Sequence, residues 1–279
     1  MSDAWREYLS FGKFIGPIMR THKEIKPVEE SWGDKDQFFT FYKSPCALEE
    51  KLVIYINGGG WDHNSPHTHY FIGQKFAKEG YDCVMFGYRK TPRCHFQEIE
   101  DDIFQNYDRL KDYLVSKDKT YDKQVVIGSS AGAHLGALLC FDREKQAAYG
   151  IRPEEFNGLI SLAGPLCFQY PHTETVEGML KELFESEKLE DWKVGEPFAK
   201  MYPIPDFKIG VIQSRNDGLV GFEQAEAFCN KASMLGMDAE FYEVTEEDNT
   251  HSAYCIGSFL RNRSESATLE KVFEMLDKM

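Results

Sequence analysis

The chain has 279 residues, of which 42% are hydrophobic and 14% aromatic, enough apolar material for one sizeable core rather than a disordered segment. Its formal net charge of −14 argues against nucleic acid as a partner, because nucleic-acid binding depends on neutralising phosphates with basic residues. The seven cysteines are odd in number and form no CxxC pair, so we expect neither a disulfide framework nor a structural zinc site.

The sequence shows no signs of secretion or membrane insertion. Residues 1–7 lack a basic start followed by an apolar run, and no apolar stretch approaches membrane-spanning length. We therefore expect a soluble, cytoplasmic protein with no membrane span. A homodimer stays open as an alternative to a monomer.

Short apolar runs alternate with helical patterns along most of the chain. Residues 5–20 carry apolar residues at helical spacing and predict one or two short helices, interrupted near Gly16-Pro17. Strands are predicted over 38–42, 52–56, 83–86, 125–127, 159–163, 209–213 and 240–244, and helices over 70–79, 97–115, 131–141, 221–235 and 266–278. This alternation predicts an α/β protein with a mostly parallel, doubly wound sheet flanked by helices.

The segment 165–206 breaks this alternation. It has no strand pattern, contains helical pieces such as 176–184, and separates two strands that should be near neighbours in the sheet. Long insertions of this kind are more often functional lids than plain loops. We predict a single domain over 1–279, with a small helical cap formed by about 1–30 and 165–206.

A Gly-Ser-Ser-Ala-Gly run over 128–132 follows a buried strand and precedes a helix of small residues. A glycine-flanked serine in this context is typical of a nucleophile elbow, in which a sharp turn exposes the serine hydroxyl beside helix N-terminal amides. Ser130 is therefore the predicted nucleophile. The alternative is a plain helix cap with glycines for close packing.

A serine nucleophile needs a base, and only His134, His172 and His251 follow Ser130. His134 lies one turn along the helix after the serine and cannot approach its hydroxyl from the opposite side, and His172 falls in the cap. His251 follows the last strand, where this kind of fold keeps its base. The alternative for His251 is a solvated loop residue.

Asp217 follows the preceding strand and is the predicted acid that orients His251. The alternative is a turn aspartate in Asn-Asp-Gly. Asp206 lies before that strand and Asp248 is too close to His251 in sequence, so both are weaker candidates.

An oxyanion hole needs preorganised amides, and Asn57-Gly58-Gly59-Gly60-Trp61 follows the strand 52–56, where a donor loop is expected. We predict that the amides of Gly59, Gly60 and Ala131 hold the oxyanion and that Trp61 contacts substrate. A generic glycine turn is the alternative. A phosphate loop is disfavoured because no Lys-Ser/Thr follows.

Taken in order, these motifs resemble the hormone-sensitive-lipase-like branch of the α/β-hydrolases, which includes small carboxylesterases and kynurenine-formamidase-like enzymes. The matching segments span roughly residues 50–255 and are Asn57–Trp61, Tyr88-Arg89, Glu100–Asp102, Gly128–His134, Asp217–Val220 and His251. The resemblance implies an α/β-hydrolase fold and a serine hydrolase. Two residues depart from its pattern: Asn57 stands in place of a histidine in the oxyanion loop, and Ser129 in place of an aspartate beside the nucleophile.

A histidine cluster, His63, His67 and His69, raises the alternative of a metal site. Pro66 interrupts the segment and, beyond Asp62, no acidic or cysteine ligand is interleaved. We interpret the three histidines as residues of the pocket rim and predict no metal.

The predicted function is hydrolysis of a small-molecule carboxylic ester, with a short-chain acyl or acetyl group, through an acyl-enzyme on Ser130 and without a cofactor. Within the same fold, an amidase, an arylformamidase or a peptidase stays open. A non-catalytic binding protein is the alternative from another class, although such proteins usually lack a triad residue.

Overall fold

The computed structural model describes residues 3–46 and 51–279 of the chain. Eight strands form one sheet in the order β1-β2-β4-β3-β5-β6-β7-β8. Their bounds are β1 Val28–Ser31, β2 Phe38–Tyr42, β3 Lys51–Ile56, β4 Asp82–Phe86, β5 Lys123–Ser129, β6 Gly158–Leu162, β7 Lys208–Gln213 and β8 Asp238–Glu243.

Eleven α-helices connect and cover these strands within the described residues. Their bounds are α1 Asp3–Arg20, α2 Tyr70–Lys78, α3 Phe96–Ser116, α4 Ala131–Phe141, α5 Arg143–Ala148, α6 Glu174–Phe184, α7 Leu189–Trp192, α8 Pro197–Lys200, α9 Phe222–Met234, α10 His251–Cys255 and α11 Ala267–Lys278.

The sheet is parallel from β4 to β8 and antiparallel where β1, β2 and β4 pair. The predicted mostly parallel sheet is thereby confirmed. Strand β3 is buried at every position because helices cover both of its faces. Alternate residues of β3 join different clusters: Leu52, Ile54 and Ile56 pack with α3 and α4, whereas Val53 and Tyr55 pack with α2 and α11.

Strand β1 has no counterpart in the sequence prediction. Its four residues, Val-Glu-Glu-Ser, are all exposed and form an edge strand that pairs only with β2 among the described residues. A short polar strand of this kind lacks the apolar pattern on which prediction depends.

Helix α1 differs from the prediction, which interrupted it near Gly16-Pro17. It runs as one helix through Pro17. The side chains of Phe14 and Ile18 pack inward on both sides of the proline, so tertiary packing outweighs the loss of one helical hydrogen bond.

Three short helices, α6, α7 and α8, lie between β6 and β7, in the segment predicted as a cap insertion. The division into one domain with a cap stays a prediction. In residues 3–46 and 51–279, no helix is both long and apolar enough to cross a membrane.

Phe14 is one of the residues by which helix α1 packs against the rest of the protein. The ring is 8% exposed, and a Cβ placed on Gly257 would lie 2.5 Å from it, so the two elements are in close contact. Phe14→Ala should lower the free energy of unfolding by about 3 kcal/mol, because it leaves a cavity beneath the helix.

Leu9 lies on the outer face of α1 and is 53% exposed, so Leu9→Ala is the matched control, with an expected change within about 0.5 kcal/mol. Urea unfolding of the two variants compares these values. Equal effects would contradict the packing described here.

Candidate active site

The carboxyl ends of β3, β5, β7 and β8 lie along one edge of the sheet, because these strands run parallel. Each is followed by one of the predicted site segments: the glycine loop after β3, Ser130 after β5, Asp217 after β7 and His251 after β8. The topology therefore gathers four distant parts of the sequence at one place.

Ser130 occupies the sharp turn between β5 and α4. Its backbone has φ 52° and ψ −126°, a strained conformation for a residue other than glycine. The turn is fixed by backbone hydrogen bonds: Ser130 N donates to Leu162 O at 2.8 Å, and Ser130 O accepts from Ala133 N at 2.9 Å. The surrounding structure thus holds the serine in a geometry that an isolated chain would avoid.

Gly132 lets helix α4 start this close to the sheet. A Cβ at this position would lie 2.0 Å from Ile56 O, at the end of β3. Gly128 is equally constrained, with a Cβ position 2.5 Å from Ala133 N. Close backbone contact therefore requires both glycines. Ser130 occupies the N-cap position of α4, but its side chain makes no capping hydrogen bond of the kind that a plain helix cap would use.

Asp217 and His251 form a buried hydrogen-bonded pair. His251 Nδ1 lies 2.8 Å from Asp217 Oδ2, and the aspartate side chain is inaccessible to solvent. Asp217 Oδ1 accepts the N–H groups of Leu219 at 2.8 Å and Val220 at 2.9 Å, and the hydroxyl of Tyr254 donates to Oδ2. An ionised carboxylate only accepts hydrogen bonds, so His251 Nδ1 is the donor and Nε2 is left free to act as a base.

The two pKa values reflect this contact. Burial favours the neutral form of Asp217, but the charge and hydrogen bond of His251, with further donors, outweigh burial and hold the pKa of Asp217 below its ordinary value. Burial likewise favours neutral His251, yet the charge and hydrogen bond of Asp217, with the charge of Glu7, raise the pKa of His251 above 6.5. The pair is thus arranged to stabilise an imidazolium.

Ser130 and His251 line the same cavity, which has a volume of about 340 Å³. Gly59, Gly60 and Trp61 line it as well. The remaining two predicted residues lie behind this surface: Asp217 is buried behind His251, and Ala131 is the buried first residue of α4. Ala131 N–H belongs to the first helical turn, whose amides have no partner within the helix.

Three residues of the glycine loop have positive φ: Gly59 at 131°, Gly60 at 56° and Trp61 at 62°. Gly58 N donates to Ser129 Oγ at 3.2 Å, so its amide is already used. Gly59 and Gly60 are the predicted oxyanion donors of this loop, and both line the cavity. Their role stays a prediction.

The two departures from the family pattern both act on this loop. Ser129 Oγ, besides accepting from Gly58 N, lies 2.9 Å from the hydroxyl of Tyr55. Asn57 Nδ2 donates to Gly58 O at 3.0 Å. The loop is therefore held by neutral hydrogen bonds where the resembling proteins have a histidine and an aspartate.

Trp61 is 2% exposed, and its indole N–H donates to His134 Nδ1 at 3.3 Å. His134 Nε2 in turn lies 2.7 Å from Gly195 O, in the segment between β6 and β7. Burial lowers the pKa of His134 to about 4, which keeps the ring neutral so that it can accept from the indole. His134 is thus a hydrogen-bonded helix residue, whereas substrate contact by Trp61 stays a prediction.

Helix α1 supplies cavity residues that the sequence analysis did not assign individually. Glu7, Tyr8 and Phe11 line the cavity from this helix, and Glu7 is 3% exposed. Glu7 shares helical spacing with the inward-facing Phe11 and Phe14, a signal that could have placed it on the buried face. Tyr254 was also missed, although it lies one helical turn after His251.

The histidines near the cavity have separate partners. His67 Nε2 lies 2.6 Å from Glu29 Oε2, His63 bonds Asp62, and His69 Nδ1 lies 3.1 Å from Thr68 Oγ1. Among the described residues, no group of three or more His, Cys, Asp and Glu side chains could hold a metal ion.

Comparison with known proteins identifies a family and a fold. The BD-FAE family model matches residues 41–231. Esterase LipQ of Mycobacterium tuberculosis is 24% identical over 269 residues; the alignment covers 89% of this chain but only 61% of LipQ, so the chain spans about three fifths of that relative.

Two solved structures share the fold. Esterase B from Lactobacillus rhamnosis has a TM-score of 0.76 at 16% identity, with 99% of this chain and 93% of that chain covered. A hormone-sensitive lipase from a metagenome library has a TM-score of 0.71 at 16% identity, covering 95% and 91%. The predicted α/β-hydrolase fold is confirmed.

The Asp217–His251 pair predicts a measurable titration. Asp217→Asn removes the charge that stabilises the imidazolium, so the pKa of His251 should fall from above 6.5 to a lower value, while burial continues to oppose protonation. NMR titration of the ring protons measures both values. His134, already held near pKa 4 by burial, is the internal control and should not change. An unaltered His251 titration in the variant would contradict the pairing.

Proposed function

The chain belongs to the BD-FAE family, and we propose that it is a serine carboxylesterase that forms an acyl-enzyme on Ser130. The observation that supports this most directly is the shared cavity, in which the strained Ser130 and the Asp217-paired His251 both meet the space available to a substrate. A serine hydroxyl is a weak nucleophile, and an adjacent base that is itself oriented by an acid supplies the activation it needs.

In the proposed reaction, His251 Nε2 takes the proton of Ser130 as its oxygen attacks the ester carbonyl. Asp217 keeps the imidazole in the required tautomer and stabilises the imidazolium. His251 then gives the proton to the departing alcohol. Water then attacks the acyl carbonyl as it loses a proton to His251, the bond between the acyl carbon and Ser130 Oγ breaks, and His251 returns the proton to Ser130 as the carboxylic acid leaves.

The amides of Gly59, Gly60 and Ala131 donate hydrogen bonds that stabilise the negative charge developing on the carbonyl oxygen. The glycine loop is fixed in advance by the Ser129 and Asn57 side chains, so these donors need little rearrangement during the reaction. The short link from Trp61 through His134 to Gly195 ties the loop to the proposed cap.

The size and lining of the cavity favour a short acyl group. Its volume of about 340 Å³ is near the lower end of the range for small-molecule pockets. Apolar side chains from α6 and from the segment after Asp217 contribute to its wall; they are Val176, Met179, Leu219 and Val220. We propose that α6, as part of the cap, limits the acyl chain.

The test is a kinetic series of p-nitrophenyl esters with acyl chains from acetyl to decanoyl. We expect kcat/KM to be highest for the shorter chains. Ser130→Ala should reduce turnover by about 10⁶-fold, since removal of a triad nucleophile leaves only residual catalysis. Ser116→Ala, at the exposed end of α3, is the control and should match the wild type.

Matched anilide substrates should react much more slowly than the esters. Full activity in Ser130→Ala would contradict the proposal. A preference for the anilide would indicate an amidase and contradict the esterase assignment. A correctly folded wild type with no turnover of either class would favour a binding protein.

A further inference from the structure

One face of α1 contacts the two loops that carry Asp217 and His251. The four residues of this face, at positions 6, 7, 10 and 13, follow helical spacing. Arg6 Nη2 donates to Asn216 O at 2.5 Å, Glu7 Oε1 accepts from Gly218 N at 2.8 Å, Ser10 Oγ lies 2.5 Å from Thr250 Oγ1, and Lys13 Nζ donates to Asp248 Oδ2 at 3.1 Å. A single helix from the start of the chain thus joins the predicted acid loop to the predicted base loop.

Glu7 is the buried charge of this face. Its Oε1 accepts the Gly218 amide, immediately after Asp217, whereas its Oε2 has no hydrogen-bond partner among the described residues. A buried carboxylate with so few donors is costly unless a positive charge offsets it. The hydrogen bond from Gly218 alone does not offset the burial of Glu7, so a positive charge is expected nearby.

Besides the guanidinium of Arg6, a positive charge that Glu7 can offset is the imidazolium of His251. The two residues line the same cavity, and the charge of Glu7 raises the pKa of His251 in addition to the larger effect of Asp217. An imidazolium forms during every acyl transfer in the proposed reaction, when His251 holds the proton of Ser130. A second carboxylate would favour that state over the neutral resting state.

Several other groups surround this pair. Asp217 contacts His251 from the loop after β7, Tyr254 and Cys255 lie on α10, and His63 and His69 line the cavity from the segment before α2. The guanidinium of Arg6 lies 3.9 Å from Glu7 Oε1, but its side chain is 42% exposed, so water screens it more strongly than it screens the buried carboxylate.

We propose that Glu7 is a positioning residue of the triad: its carboxylate fixes the Asp217–Gly218 turn and stabilises the imidazolium of His251 during acyl transfer. This inference rests on the proposed esterase function. It assigns to α1 a part in the chemistry through the loops that carry Asp217 and His251.

The test is the pH dependence of kcat/KM for Glu7→Gln, which keeps an oxygen to accept the Gly218 amide but removes the charge. The acid limb of the pH profile reports the protonation of His251 in the free enzyme. In Glu7→Gln this limb should move to lower pH. At the pH plateau kcat should fall by about three- to tenfold, because the imidazolium is less stabilised, while KM changes little. Glu7→Asp retains the charge and should move the limb back towards the wild-type position.

Ser10→Ala is the matched control on the same face. It removes the contact with Thr250 but no charge, so its acid limb should coincide with that of the wild type. An unshifted limb in Glu7→Gln, or an equal shift in Ser10→Ala, would overturn the proposal. Circular dichroism and thermal unfolding verify that each variant is folded.

A second measurement distinguishes failure of the role proposed for Glu7 from failure of the proposed esterase function. If the wild type turns over no ester, the proposed function fails, but the NMR titration of His251 in Glu7→Gln still measures the electrostatic contact. A lower pKa of His251 in the variant would support the role of Glu7 in the folded protein. An identical titration would refute it.

Discussion

The sharp turn at Ser130 is the constraint on which the arrangement of the site depends. It needs a positive φ at a residue with a side chain, and the chain tolerates this because β5 and α4 are fixed on both sides. The amide of Ser130 is held by β6, and Gly132 lies against the last carbonyl of β3. The glycine loop starts from that same end of β3, so the serine and its proposed oxyanion donors share one support.

A second feature that determines the chemistry of the site is the negative charge buried beside the cavity. Asp217 is enclosed by donors from its own loop and by the Tyr254 hydroxyl, and it faces His251. Glu7 adds another carboxylate from the opposite end of the chain. Both act in the same direction on the imidazole, since each favours its protonated form.

The sequence predicted the elements whose patterns are local. Helix α4 and strand β2 have the predicted bounds, because each is a mostly apolar segment with clear ends, in which Thr40 and His134 are the polar residues. The positions of Ser130, Asp217 and His251 after their strands followed from the same patterns, and their catalytic roles stay predictions. Strand β1 and the continuous α1 were not predicted, because both depend on tertiary contacts: β1 pairs with β2, and Phe14 of α1 packs against another part of the chain. Glu7 approaches Gly218 across 211 residues of sequence, and no local pattern reports such a contact.

The central claim is that Ser130 is an activated nucleophile, and covalent labelling tests it most directly. A fluorophosphonate reacts with an activated serine oxygen and loses fluoride, so peptide mapping by mass spectrometry locates the modified residue. We expect one phosphonyl group per chain, on Ser130, with labelling greatly slowed in His251→Ala. Absence of label on the folded protein, or label on the neighbouring Ser129, would contradict it.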